Sequence, residues 1–196
     1  DQARAEALHA LARQLQKRAS FLAGLATLDT GTPIRESRDP DLAQAVRAVQ
    51  HAAGRASLRD MDHPGRAPHA VTGVVLAPAL PLMGFATAIA PVLAAGGTVV
   101  VVPAPEAPLA ALAFAEICAG AGLPAGVVNI VTGDADTALA LAGADLDRLI
   151  FAGTTEAGRA ARRASAAHGP ALSLRLDGSS PVLVFPDADL DAAVEG

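Results

Sequence analysis

The sequence predicts an α/β fold, a doubly wound parallel sheet preceded by a helical lead-in. Three observations carry that expectation. From Val71 onward, short and continuously apolar runs alternate with longer segments of helical composition. Glycines and prolines mark the junctions between them, and before Val71 leucines recur at helical spacing. Strands that are apolar on both faces belong in parallel sheets covered by helices on both sides. Right-handed crossovers then wind such a sheet into a Rossmann-like layer.

The elements follow in order. Leu8, Leu11, Leu15, Leu22 and Leu25 are spaced by three, four and seven residues, an amphipathic helical stripe. Asp39-Pro40 reads as a helix start, with Asp as N-cap and Pro at the first helical position, followed by Leu42, Val46 and Val49. The turn-rich stretch Arg59 to Pro68 closes the lead-in. Residues 1–68 are thus expected to be a lead-in to the same domain, and 69–196 its Rossmann-like part. Strands are expected at Gly73–Ala77, Thr98–Val102, Val127–Val131, Leu149–Ala152, Leu172–Leu176 and Val182–Phe185. Helices are expected at Leu82–Ala94, Pro108–Ala121, Asp136–Ala142 and Glu156–Ala167, with a last one from about Asp187. That helix still runs at Glu195-Gly196, and the first begins without a lead, so both ends read as cuts through a longer polypeptide.

Composition narrows the function classes. With 196 residues and 52% hydrophobic content the chain can bury a sizeable core. Aromatics are only 3%, without Trp or Tyr, so Ala, Val and Leu must fill it. A net charge of −5 gives no basic footprint for nucleic acid, and Arg159, Arg162 and Arg163 read as a solvated helix face. The run Ala67–Pro105 has no charged residue, but its prolines and glycines divide it into strand, helix and strand rather than a membrane span. Cys118 is the single cysteine, read as a buried structural thiol in a reducing, cytoplasmic compartment. The opening Asp1 to Lys17 is charged and amphipathic, unlike a secretory signal. Lys17 is the only lysine, and the arginine bias points to a GC-rich, bacterial coding sequence.

Few side-chain clusters suggest chemistry. The five histidines are scattered without zinc-ligand spacing. Asp187, Asp189 and Asp191 suit helix capping better than a calcium loop, because Ala192 stands where that loop needs glycine. Ser179-Ser180 has no neighbouring base. The turn Gly153-Thr154-Thr155-Glu156-Ala157-Gly158, between an expected strand and helix, could cradle phosphate on helix N-terminal amides. It is neither a Walker loop nor G-x-G-x-x-G, and on the motif alone an ordinary strand-to-helix turn is the favoured reading.

Four ordered segments carry a family resemblance. Ile89-Ala90-Pro91 through Gly96-Gly97-Thr98-Val99-Val100 is one, and Ala121-Gly122-Leu123-Pro124-Ala125-Gly126-Val127 through Gly133 is the second. Phe151-Ala152-Gly153-Thr154-Thr155-Glu156-Ala157-Gly158 is the third, and Leu174 to Asp191 the fourth. Together with Leu28-Asp29-Thr30-Gly31-Thr32-Pro33 in the lead-in, they resemble the cofactor-binding domain of aldehyde dehydrogenases. The resemblance implies that Pro78, Pro103, Gly133, Gly153, Thr154, Thr155 and Gly158 face a dinucleotide, NAD or NADP. It also implies a homodimer.

The working positions of that family depart from its pattern. Where it has the general-base Glu of "LELGG", this chain has Arg175 in Leu174-Arg175-Leu176-Asp177-Gly178, and a guanidinium has no acceptor with which to activate water. The oxyanion-donating "PWNFP" becomes Pro78-Ala79-Leu80-Pro81, one residue shorter and without Asn. The Lys and Glu that hold the adenosine ribose become Val102 and Pro105, with Glu106 adjacent. Two lost charge-assisted bonds, about 1.5–3 kcal/mol each, weaken binding about a hundredfold or more. Asp134 and Asp136 would repel a nearby phosphate. By resemblance the nucleophilic Cys falls beyond Gly196.

The expectation is therefore a non-catalytic domain with no catalytic residue of its own. It resembles the degenerate second half of two-domain family-16 aldehyde dehydrogenases. Its partner would be the remainder of its polypeptide or a catalytic aldehyde dehydrogenase domain, with no nucleic acid and no membrane. An active enzyme with divergent ligands, or a nucleotide sensor, are the alternatives.

Overall fold

The computed structural model describes residues 2–178 and 181–195. Ser179-Ser180 and Gly196 lie outside the described residues. The lead-in folds as α1 (Gln2–Lys17), α2 (Ala19–Thr30), the single turn α3 (Ile34–Glu36), a stretch at Ser37–Leu42 kinked at Asp39, and α4 (Ala43–Asp62). Then come β1 (Val71–Val75), α5 (Pro81–Ala95), β2 (Thr98–Val102), α6 (Leu109–Gly120), β3 (Val128–Ile130) and α7 (Ala135–Ala142). β4 (Arg148–Gly153), α8 (Thr155–Ala164), β5 (Ala171–Leu176) and α9 (Leu190–Glu195) complete the order.

All strand pairs are parallel, in the order β3-β2-β1-β4-β5. The chain winds outward from β1 through β2 to β3, then returns to place β4 on the other side of β1. Because crossovers keep one hand, that reversal puts α5 and α6 on one face and α7 and α8 on the other. The predicted doubly wound layer is what forms.

Each face has its own core. On the first, Leu8, Leu11 and Leu15 of α1 are fully buried against α4, whose Val49 and Ala53 are equally buried. Alanines at the contact let the two helices approach closely. Phe85 of α5 and Phe114 of α6 stack at a ring distance of 4.5 Å with a 38° tilt, the largest side chains in an aromatic-poor interior. On the second face, Val75, Val102, Leu149 and Phe151 of the sheet meet Ala142 and Ala161 of α7 and α8. The turn between α5 and β2 requires glycine twice. Gly96 has φ of 98°, and a Cβ on Gly97 would lie 2.4 Å from the His69 carbonyl oxygen.

Two expectations fail. Val182–Phe185 is not a strand; it runs as exposed, irregular chain beyond β5. A strand needs a neighbour's ladder and a cover for its apolar faces, and the described residues supply neither there. Asp39, at φ −136° and ψ 97°, is the non-helical residue at the kink just before Pro40, as expected of a helix start, but its carboxylate pairs with Arg38 at 3.2 Å instead of capping helix amides. Elsewhere boundaries move by one to three residues, as with β1 beginning at Val71 and α9 at Leu190. Asp189 does cap its helix, accepting from the Asp191 and Ala192 amides at 3.0 and 3.3 Å. Among the described residues no helix is long and apolar enough to cross a membrane.

Phe114 has no exposed surface. Phe114→Ala is expected to destabilise the fold by about 3–5 kcal/mol through lost burial and a residual cavity. Urea denaturation checks this, and a loss below about 1 kcal/mol would mean the stacked pair does not anchor this face.

Candidate functional site at the carboxyl edge of the sheet

In a doubly wound sheet, ligands bind beyond the carboxyl ends of the strands, where the strand order reverses. Here that point lies between β1 and β4, and four helices begin along this edge. Helix N-termini carry unpaired amides and partial positive charge, so what meets them decides what the edge can bind.

Each of the four meets an aspartate. At α5, the Asp41 carboxylate accepts from the Met83 amide at 2.6 Å and the Leu82 amide at 3.3 Å. At α6, Asp29 Oδ2 accepts from the Leu109 and Ala110 amides at 2.8 and 3.2 Å. At α7, Asp134 Oδ1 accepts from the Asp136 and Thr137 amides at 3.1 and 3.2 Å. These bonds, the Thr137 amide foremost, hold the Asp134 carboxyl below its usual range. At α8, Asp177 Oδ1 accepts from the Thr155 amide at 2.7 Å and the Thr155 hydroxyl at 2.9 Å.

The last contact falls on the predicted phosphate turn. Gly153 ends β4, and Thr154 is the N-cap of α8, its hydroxyl accepting from the Ala157 amide at 3.2 Å. Asp177 closes the loop by donating its own amide to the Gly153 carbonyl at 3.1 Å. Gly158 is needed for packing, since a Cβ there would lie 2.4 Å from Leu176 Cδ2. Thr154 also borders a cleft of about 360 Å³ between α7 and α8, with Phe151 and Leu139.

The other predicted positions sit along the same edge but outside this turn. Pro78 is exposed in the loop after β1, Pro103 is buried after β2, and Gly133 lies between β3 and α7. Leu80, in the shortened loop before α5, has φ of 49°, a left-handed conformation costing a non-glycine residue about 1–2 kcal/mol. Val102 is 2% exposed within the second core, and Glu106 is exposed with no hydrogen bond or ion pair among the described residues.

Arg175 points away from the turn. It lies on the α5 side of β5, with Nη1 3.4 Å from the Thr87 hydroxyl. Cys118 is 1% exposed inside α6, and burial pushes its thiol up to about 12, so it stays protonated and unreactive at neutral pH.

Sequence reading missed two features. The caps by Asp29 and Asp41 reach across 80 and 41 residues, so no local spacing announces them. A groove of about 420 Å³ also opens between α4 and α5, bordered by His51, Arg55, Arg59 and Thr87.

A doubly wound sheet with these motifs at its carboxyl edge places the chain in the aldehyde dehydrogenase family, whose pattern matches residues 1–196. It is 36% identical to the mitochondrial aldehyde dehydrogenase 2 of Saccharomyces cerevisiae, over 98% of this chain and 42% of the relative. It is 39% identical to the hydroxyisobutyraldehyde dehydrogenase of Mycolicibacterium austroafricanum, over 98% of this chain and 40% of the relative. Among solved structures it resembles HpcC from Thermus thermophilus, with TM-score 0.90 and 34% identity over 99% of this chain and 40% of that one. PnpE in complex with nicotinamide adenine dinucleotide is similar too, with TM-score 0.90 and 32% identity over 100% of this chain and 42% of that one. The chain thus spans about two fifths of the length of the curated relatives it matches.

Asp41 is 2% exposed, and burial raises its pKa above the ordinary carboxylate range despite the two amides that favour its charge. The folded state therefore holds this proton more tightly than the unfolded chain. Its contribution to stability is complete below the ordinary carboxylate pKa and declines as pH rises through the raised value. Asp41→Asn keeps an acceptor for the Met83 amide and removes the titration. The stability of wild type relative to Asp41→Asn is expected to fall as pH rises from the ordinary carboxylate pKa through the raised value. Urea denaturation at each pH reads this; a difference that grows with pH would show that the amide bonds outweigh burial.

Proposed function

We propose that this segment is a non-catalytic aldehyde-dehydrogenase-like domain with a structural or assembly role inside a larger NAD-dependent aldehyde dehydrogenase. The observation that carries this reading is the Asp177 carboxylate on the first turn of α8. A dinucleotide phosphate would need those donors, and it would meet a negative charge already bonded to them. The residues present therefore do not fit the cofactor at this turn, and no reaction step is derived through it.

Other features support the same reading. Arg175 stands at the general-base position, turned toward Thr87. The Pro78-Ala79-Leu80-Pro81 loop offers no Asn side chain as an oxyanion donor. Val102 and Pro105 cannot bond a ribose as Lys and Glu would. For assembly, β5 ends the sheet, and the apolar side chains of Val182, Leu183 and Phe185 beyond it are at least 68% exposed. Surfaces of that kind suit a cover by further protein, here the remainder of the same polypeptide or a catalytic aldehyde dehydrogenase domain.

Calorimetric titration of the full natural chain with NAD and NADP tests the reading. No binding attributable to this turn is expected, so Gly153 and Thr154 substitutions should leave the titration unchanged. Asp177→Gly is expected to tighten dinucleotide binding about tenfold or more by freeing the Thr155 donors. Micromolar binding that is lost on substituting Gly153 or Thr154 would overturn the proposal in favour of a sensor or a divergent enzyme.

A further inference from the structure

We propose that a second pocket, on the opposite face of the sheet from the α7–α8 cleft, binds a small oxyanion. It is a cavity of about 150 Å³ between α5 and the β1, β4 and β5 strands, with Thr72, Thr87, Arg148 and Arg175 in its lining. That space corresponds to about five waters at roughly 30 Å³ each, room for a phosphate, a sulfate or a carboxylate group.

Two buried polar atoms of the residues that line this pocket have no partner within the chain. Thr72 has no exposed surface, yet its hydroxyl has no hydrogen-bond partner. Arg148 donates through Nη2 to the Ser173 hydroxyl at 3.0 Å, while its Nε is buried and unpartnered. Buried polar groups are nearly always paired in folded proteins, so two unpaired donors lining one cavity point to something they receive. The strand register explains why they meet. Thr72 and Arg148 are direct partners across β1 and β4, so both side chains leave the same face of the sheet beneath α5.

Charge selects the ligand. The formal charges in the lining are the Arg148 and Arg175 guanidinium groups, and His69 adds a third basic group. No Asp or Glu lines the cavity, and among the described residues neither arginine forms an ion pair. Arg175, exposed on β5 and 3.4 Å from the Thr87 hydroxyl, stands at the pocket with its remaining donors free for an incoming anion. A guanidinium fork and a hydroxyl suit carboxylate and phosphate oxygens alike. A cation would meet only donors and like charge. Because the pocket lies on the other face from Asp177, this site stands whether or not the α8 turn holds a dinucleotide.

Calorimetric titration of the full natural chain with inorganic phosphate, at ionic strength held constant with chloride, is the test. Saturable phosphate binding is expected, together with a phosphate-dependent rise in Tm that chloride does not reproduce. Thr72→Val removes an unpaired hydroxyl with little change of shape, so the variant should fold as well as wild type while binding phosphate roughly tenfold more weakly. Arg148→Gln should abolish binding, and Thr72→Val alone decides the matter if that variant does not fold. Acetate titrated in parallel identifies the occupant: equal affinities mark a carboxylate site, and tighter phosphate marks a dianion site. No saturable binding, or binding unchanged in Thr72→Val, overturns the proposal.

Discussion

The organisation of this domain depends on carboxylates meeting helix amides. Four helices start at the carboxyl edge of the sheet, and their N-termini would leave unpaired donors and partial positive charge there. Asp41, Asp29, Asp134 and Asp177 supply an acceptor to each in turn. Two of these come from the lead-in, so the bonds that finish α5 and α6 also fasten the first helices to the sheet. Burial of leucines and alanines supplies the larger driving force, but it is not directional. The caps fix how the lead-in is oriented on the layer it covers.

That solution bears directly on function. A dinucleotide-binding edge leaves at least one helix N-terminus open to phosphate. At α8 the Gly153–Gly158 turn retains its glycines, yet its first amide and the Thr155 hydroxyl are already bonded within the chain. The glycines serve packing here: Gly158 lets Leu176 lie against the helix, and a side chain would close that gap. A small residue in such a turn therefore also satisfies helix-on-sheet contact, whatever the turn binds.

The fold was legible because its signals are local. Apolar runs such as Thr98–Val102 and the stripe through Leu8, Leu11 and Leu15 specify strand and helix within a few residues. Val182–Phe185 misled for the converse reason: four apolar residues cannot reveal whether a neighbouring strand will be there to pair with them. The site was legible only in part. The turn at Gly153 and the arginine at position 175 stand in the sequence, but the partner of Thr155 is 22 residues away. The pairing of Thr72 with Arg148 requires the strand order itself, which sets β4 beside β1 with two other strands intervening in sequence.

Arg175 has one more consequence. Among the described residues β5 is an edge strand of the sheet, and an uncovered strand edge is a template on which another chain can add. A second copy aligned along that edge would bring arginine beside arginine, and the repulsion would discourage sheet-to-sheet growth. Arg175 thus places a gatekeeping charge on an edge strand of the sheet.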